Sequence, residues 1–309
     1  MAQNLVPNSS FEEYKELKCD LYNTLAPPFP YENPKVWFQS ILKDWILPIN
    51  APSQIYSVKL PDSCLANPSK FNRGHPKDGF NMVGLDLLVA YNQNTNGRTY
   101  VQVRLKEKLK EQSTYSTGGY YSLANSYGSY ASNNLGLYFS EDAIGSDTTL
   151  MLRYDPQINQ REVNSDPLVW KKFGGCFTAQ GNETYLTIGN FYDDNNTKAV
   201  QFVKGDTRGT DFASYFIDSV YVQKVKEPFI PNVITPNGDC CNEKFVLKDV
   251  DATEWSVTIL NRWGQSVHQS ESYKNNFNGS ELSAGVYFYH VQHRECKNLI
   301  YKGSLTIIH

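Results

Sequence analysis

Short runs that alternate apolar and polar residues recur along the chain: LGLYFS (135–140), TYLTIGNF (184–191), YFIDSVYVQKV (215–225), SVTIL (256–260), GVYFYHVQ (285–292) and LIYKGSLTII (299–308). Successive side chains of a strand point to opposite faces, so each run predicts a β-strand with one buried side. Gly, Asn, Asp and Pro separate the runs, which is the punctuation of an all-β sandwich. Helical patterning is confined to Tyr31–Trp45 and Tyr100–Gln112. In the second stretch Val101, Val103 and Leu105 alternate before a lysine run, so it reads as a strand leading into a turn. The pattern breaks at KVKEPFIPN, around 226–230, where Pro228 and Pro231 follow a strong strand. This divides the chain into residues 1–226 and 227–309, the second long enough for a small seven-stranded sandwich.

Composition narrows the function classes. Of 309 residues, 40% are hydrophobic, so both segments hold enough apolar material for a core. The formal net charge is −3, without the basic excess of a nucleic-acid binder, so no nucleic-acid partner is expected. No apolar run approaches the roughly 18–20 residues of a membrane span. The start, MAQNLVPN, has neither a charged nor an apolar leader region, and Ala-Gln fits a chain from which a signal peptide has been cut. The 21 Tyr and the Tyr/Ser/Gly/Asn bias of residues 113–134 suit a sheet strand with a polar loop, or an aromatic ligand face.

Six cysteines without a C-x-x-C pair fit disulfides formed in an oxidising compartment. Cys19 and Cys64 share a long excursion outside the strand ladder, so they are expected to pair, closing a loop of about 45 residues. Cys296, in the turn before the last strand, is expected to meet Cys241 or its neighbour Cys240, and Cys176 is expected to be a buried free thiol.

Enzyme signatures are missing: there is no G-x-S-x-G, H-E-x-x-H, phosphate loop or dinucleotide fingerprint. His290 and His293 fall on opposite faces of one strand, a poor metal pair. Asp193-Asp194 and Glu141-Asp142 are the carboxylates a glycosidase would need, but adjacent loop acids are usually solvated, so a hydrolase is the lesser alternative and no catalytic residue is assigned. Asp239 and Glu243, in an oxygen-rich turn, read as a capped turn before they read as a Ca²⁺ site.

Residues 228–309 carry five ordered markers: ITPNGD (234–239), ILNRWGQSV (259–267), FNG (277–279), AGVYFYHV (284–291) and KGSLTII (302–308). Together they resemble the gliding-motility-associated C-terminal domain of secreted Bacteroidota proteins. The resemblance implies an immunoglobulin-like sandwich that acts as a type IX secretion signal. It makes the type IX translocon a partner and places the chain outside the cell or on the outer face of the outer membrane. The sequence departs from the family at Cys240-Cys241-Asn242-Glu243, where a glycine is usual.

Residues 3–225 open with QNLVPNSSFEEY and close with YFIDSVYVQKV. That pairing resembles jelly rolls of the carbohydrate-binding-module, or galactose-binding-like, type. Interior segments such as YVQVRLKEKLK (100–110) and GCFTAQGNETYLTIGNF (175–191) resemble Bacteroidota surface proteins. Gln54–Asp62 and Phe80–Tyr91 depart from the pattern. The resemblance implies a structural Ca²⁺ joining the first and last strands, with Glu12 and Asp218 as its acidic ligands and carbonyls near Asn8–Ser10 completing the shell. It also raises sugar binding, which requires exposed aromatic faces beside amides and carboxylates. The aromatic candidates are Trp37, Trp45, Tyr91, Tyr121, Tyr127 and Tyr130, while Trp170, Trp255 and Trp263 are expected to be packed.

The sequence therefore predicts a secreted, non-enzymatic, two-domain β protein: a jelly-roll sandwich that binds a glycan or a surface protein, followed by an export and anchoring domain. The alternatives are a structural subunit that assembles with itself or with envelope partners through sheet edges or the Tyr-rich loop, and an unrecognised hydrolase.

Overall fold

The computed structural model describes residues 3–17, 33–64, 67, 74–89, 95–124, 128–147, 150–202 and 211–309. The chain divides into two compact units, one ending at Lys224 and the other running from Val225 to His309.

In the first unit the α-helix α1 (Pro34–Ile41) begins where Asn33 accepts the N–H groups of Lys35 and Val36 and Pro34 takes the first turn. The strands that follow are β1 (Trp45–Ile46), β2 (Gln54–Ser57), β3 (Asn81–Leu88), β4 (Val101–Arg104), β5 (Thr114–Leu123), β6 (Tyr130–Ser132), β7 (Leu135–Ser140), β8 (Ile158–Gln160), β9 (Lys171–Thr178), β10 (Tyr185–Gly189), β11 (Ala199–Gln201) and β12 (Ala213–Lys224). They form two five-stranded sheets, β1-β4-β10-β7-β8 and β2-β3-β12-β5-β9, and a short β11-β6 pair. The two large sheets enclose one apolar core, in which Val101, Val103, Leu137 and Ile188 of one sheet pack with Val83, Leu85, Tyr121, Tyr215 and Ile217 of the other.

Strand β12 is buried on both faces. Tyr215 and Ile217 point into the core, while Phe216 joins Tyr56, Met82 and Ala124 on the outer side, with Trp170 packed against them. Ser219, at φ 52°, breaks the register in a bulge. The bulge lets Val220 and Val222 turn inward after Ile217, a spacing that plain alternation forbids.

The second unit holds β13 (Val233–Ile234), β14 (Trp255–Leu260), β15 (Ser266–Ser270), β16 (Gly285–His293) and β17 (Ile300–Ile307), in one sheet of order β13-β17-β16-β14-β15. Trp255, Val257, Ile259, Tyr287, Val291, Leu305 and Ile307 line its core face. The layer opposite comes from extended segments that contribute Phe245, Leu247, Tyr273 and Phe277, not from a second ladder of several strands. The unit is sandwich-like, and its second layer is irregular where the sequence predicts seven regular strands.

Candidate functional site

The opening motif folds as a set of ties onto β12. Asn4 Nδ2 donates to Val220 O, Asn4 Oδ1 accepts the Val222 N–H, and Leu5 N–H reaches Val222 O. Asn8, at φ 45°, spans a tight turn: its Oδ1 accepts from Glu13 N–H and its Nδ2 donates to Glu13 O and Lys43 O. First and last segments therefore lie together, and Glu12 and Asp218 grip the same turn, residues 77–81. Glu12 Oε1 accepts the Phe80 and Asn81 N–H groups at 2.7 Å each. Asp218 Oδ2 accepts from Lys77 N (2.8 Å) and Asp78 N (3.0 Å), and its Oδ1 from Ser219 N (2.6 Å). Gly79, at φ 68°, allows this closeness: a Cβ there would sit 2.5 Å from Glu12 Oε1.

Asp218 is fully buried, and loss of water pushes its carboxyl up to about 7 despite the three amides that favour the anion. This donor set does not fit Ca²⁺, which takes six to eight oxygens. The carboxylates are held by N–H groups. The carbonyls expected to join them are occupied too: Asn8 O by Phe11 N–H and Trp45 Nε1–H, and Ser9 O by Val220 N–H. Among the described residues no three His, Cys, Asp or Glu side chains gather as metal ligands would.

Three of the six aromatic candidates are core. Trp37 and Trp45 are buried around α1 and β1, and Tyr121 lies inside the sandwich, where burial pushes its hydroxyl up to about 12. Tyr130 is half-buried against the same core. Tyr91 and Tyr127 lie outside the described residues. Trp255 is packed as expected, but Trp263 is 74% exposed on the β14–β15 hairpin turn, because Asn261 Oδ1 accepts the Trp263 and Gln265 N–H groups and turns the ring outward.

The cysteine expectations need correction. Cys64, Cys176 and Cys296 are each disulfide-bonded, whereas Cys240 and Cys241 are free and exposed. Cys296 is thus not paired with Cys241 or Cys240, and Cys176 is not a free thiol. Cys241 is turned away in a solvent-facing loop, while Cys296 is buried below His293, whose Nδ1 accepts the Cys296 N–H. Cys19 lies outside the described residues. The loop acids have structural partners: Asp194 pairs with buried Arg98 at 2.8 Å, and Asp193 caps the turn at Asn196.

Among the described residues a recess lies on the outer face of the β2-β3-β12-β5-β9 sheet. Register places Gln54 and Phe216 on either side of Gly84, and Ser214 opposite Asp86. The cavity encloses about 210 Å³ and is lined by Tyr56, Phe212, Phe216, Gln54, Asp86 and Ser214, among others. Tyr56 and Phe216 meet edge to face at 5.1 Å and 83°. The Tyr56 ring lies over Gly84, where a Cβ would come within 2.8 Å of it. Asp86 accepts a hydrogen bond from Ser214 Oγ, yet desolvation pushes its carboxyl up to about 6. None of these six residues stands out in the sequence. Tyr56 and Asp86 fall in the two stretches that depart from the jelly-roll pattern, and Phe216 is hidden in a strand apolar on both faces.

In the second unit the five sequence markers occupy defined places, with ILNRWGQSV running from the end of β14 through the hairpin turn into β15. Ile234 anchors the ITPNGD turn in the core, Phe277 caps the core from FNG, and AGVYFYHV and KGSLTII form β16 and β17. Residues 229–307 match the CHU_C type IX secretion signal domain. This segment is a type IX secretion signal. The protein is exported, secreted or held at the cell surface, and it interacts with the type IX machinery. No curated protein is similar to the chain. Among solved structures, the adhesin domain of Epf from Streptococcus pyogenes overlaps 86% of this chain and 81% of its own, at 10% identity and a TM-score of 0.23. An M60 catalytic domain with CBM51-1 and CBM51-2 from Clostridium perfringens overlaps 76% of this chain and 20% of its own, at 10% identity and a TM-score of 0.21. At such scores neither likeness carries an argument.

Proposed function

We propose that the first unit is a binding module carried outside the cell by the secretion domain, and that it takes one sugar ring of a surface or environmental glycan in the recess above Gly84. The observation that carries this reading is the composition of that recess. A floor of Tyr56 and Phe216, themselves 3% and 2% exposed, lies beside the Asp86 carboxylate, the Gln54 amide and the Ser214 hydroxyl, polar groups that suit the hydroxyl rim of a sugar. At about 210 Å³ it is smaller than the roughly 300–1,000 Å³ of drug-sized sites, so it suits a chain end or a single residue. Asp86 is the one acid in the lining, whereas glycoside hydrolysis uses two, which favours binding over cleavage. A glycan array probed with the full chain and with Tyr56→Ala tests the reading. Binding to a defined glycan set that the variant loses supports it. An array with no ligand, or a variant that binds like the parent, refutes it.

A further inference from the structure

We propose that Cys240 and Cys241 form a disulfide joint to a second copy of this chain after export. Both thiols are free and exposed, whereas Cys64, Cys176 and Cys296 are already bonded. They stand on a fixed turn. Asp239 Oδ1 accepts the Cys241 N–H at 2.8 Å, Thr235 Oγ1 donates to Cys241 O at 3.0 Å, and Glu243 Oε1 accepts the Gly238 N–H at 2.7 Å. Cys240 itself has φ 72°, in the left-handed region where a glycine would be unstrained. A side chain kept in that conformation, with its sulfur in solvent, points to a use for the sulfur.

The two thiols are poor partners for each other. Adjacent Cα atoms across a trans peptide are about 3.8 Å apart, while disulfides span roughly 4.4–6.8 Å. An exported chain meets conditions in which disulfides persist, and an unpaired thiol there suggests bonding between molecules. A second copy presents the same turn, so a two-fold arrangement can set Cys240 of each chain against Cys241 of the other, a self-complementary contact. The inference rests on the secretion domain and is independent of the glycan reading.

The chemistry is thiol–disulfide exchange with a small disulfide oxidant, RSSR. A thiolate of one copy attacks RSSR, forms a mixed disulfide and expels RS⁻. A thiolate of the second copy then attacks the protein sulfur of that mixed disulfide and expels the second RS⁻. For each bond two cysteine thiols are oxidised, one RSSR is reduced to two RSH, and the two thiol protons pass to the released thiolates; the two-fold joint, with two bonds, consumes two RSSR.

The full chain, purified without reductant, is incubated with oxidised glutathione and followed by non-reducing electrophoresis, intact mass and peptide mapping. The expected product has twice the 35.2 kDa chain mass, reverts with dithiothreitol and yields cross-linked peptides containing residues 240–241. The Cys240→Ser/Cys241→Ser double variant stays monomeric, with an unchanged circular dichroism spectrum. A monomer carrying glutathione on both cysteines overturns the proposal. So does a monomer two hydrogens lighter with a 240–241 bridge, or a dimer that persists in the double variant.

Discussion

Replacing Asp218 by Ala tests how the first and last strands are held. In the folded chain three amides favour the ionised carboxylate and complete burial disfavours it, with burial winning: the group moves from 3.8 to about 7. A carboxyl whose folded value exceeds its unfolded value binds its proton more tightly when folded. Its contribution to stability is complete below pH 4 and is lost as pH rises through 7. Three units at about 1.4 kcal/mol each give roughly 4 kcal/mol across that window. The variant also loses the ties to Lys77, Asp78 and Ser219. Lys77 and Asp78 lie at the surface, where water replaces the acceptor, so this loss is about 1–3 kcal/mol at every pH. The variant should therefore be less stable than the parent at pH 4, with the gap closing or reversing by pH 8. Hydrogen exchange of β5 and β12 peptides, corrected for intrinsic rates, reads this unit alone, without assuming that both units unfold together. Parallel stability curves for parent and variant from pH 4 to 8 would refute the reasoning, because they would mean that the amides fully offset burial.

Two further outcomes follow from the same packing. Arg98→Met strands Asp194 in the interior and frees Tyr192 O, so denaturant unfolding of the first unit should show a loss of about 3–5 kcal/mol, and a loss below about 1 kcal/mol would contradict the buried pair. Because amides hold Glu12 Oε1 and both oxygens of Asp218, millimolar Ca²⁺ added after chelation should leave the melting temperature unchanged. A rise of several degrees would show that the turn at 77–81 rearranges around a cation.

The strands were legible because the period of two survives wherever one face is buried. The runs at 135–140, 256–260 and 285–292 fall on β7, β14 and β16. The meeting of Glu12 with Asp218 was legible through the motif, but their partners were not, since backbone N–H groups leave no mark in sequence. The burial of Trp37, Trp45 and Tyr121 was hidden for a related reason. A tyrosine such as Tyr121 on a doubly buried strand looks the same whichever way it faces, and only pairing with β12 and β9 fixes its side. The recess depends on a register that brings residues 54–56, 84–86 and 214–216 side by side across more than a hundred residues of chain. The bonded state of Cys176 and the pairing of Cys296 were missed because pairing depends on distances that spacing in the sequence does not encode.

The claim on which location and partner both depend is that residues 225–309 act as an export address for the rest of the chain. In a cell with the type IX machinery, surface labelling of the full chain should be compared with that of a chain ending at Lys224. The account predicts that the full chain is labelled, while the shortened chain is folded and protease-resistant but unlabelled in intact cells. Equal surface labelling of both would contradict it.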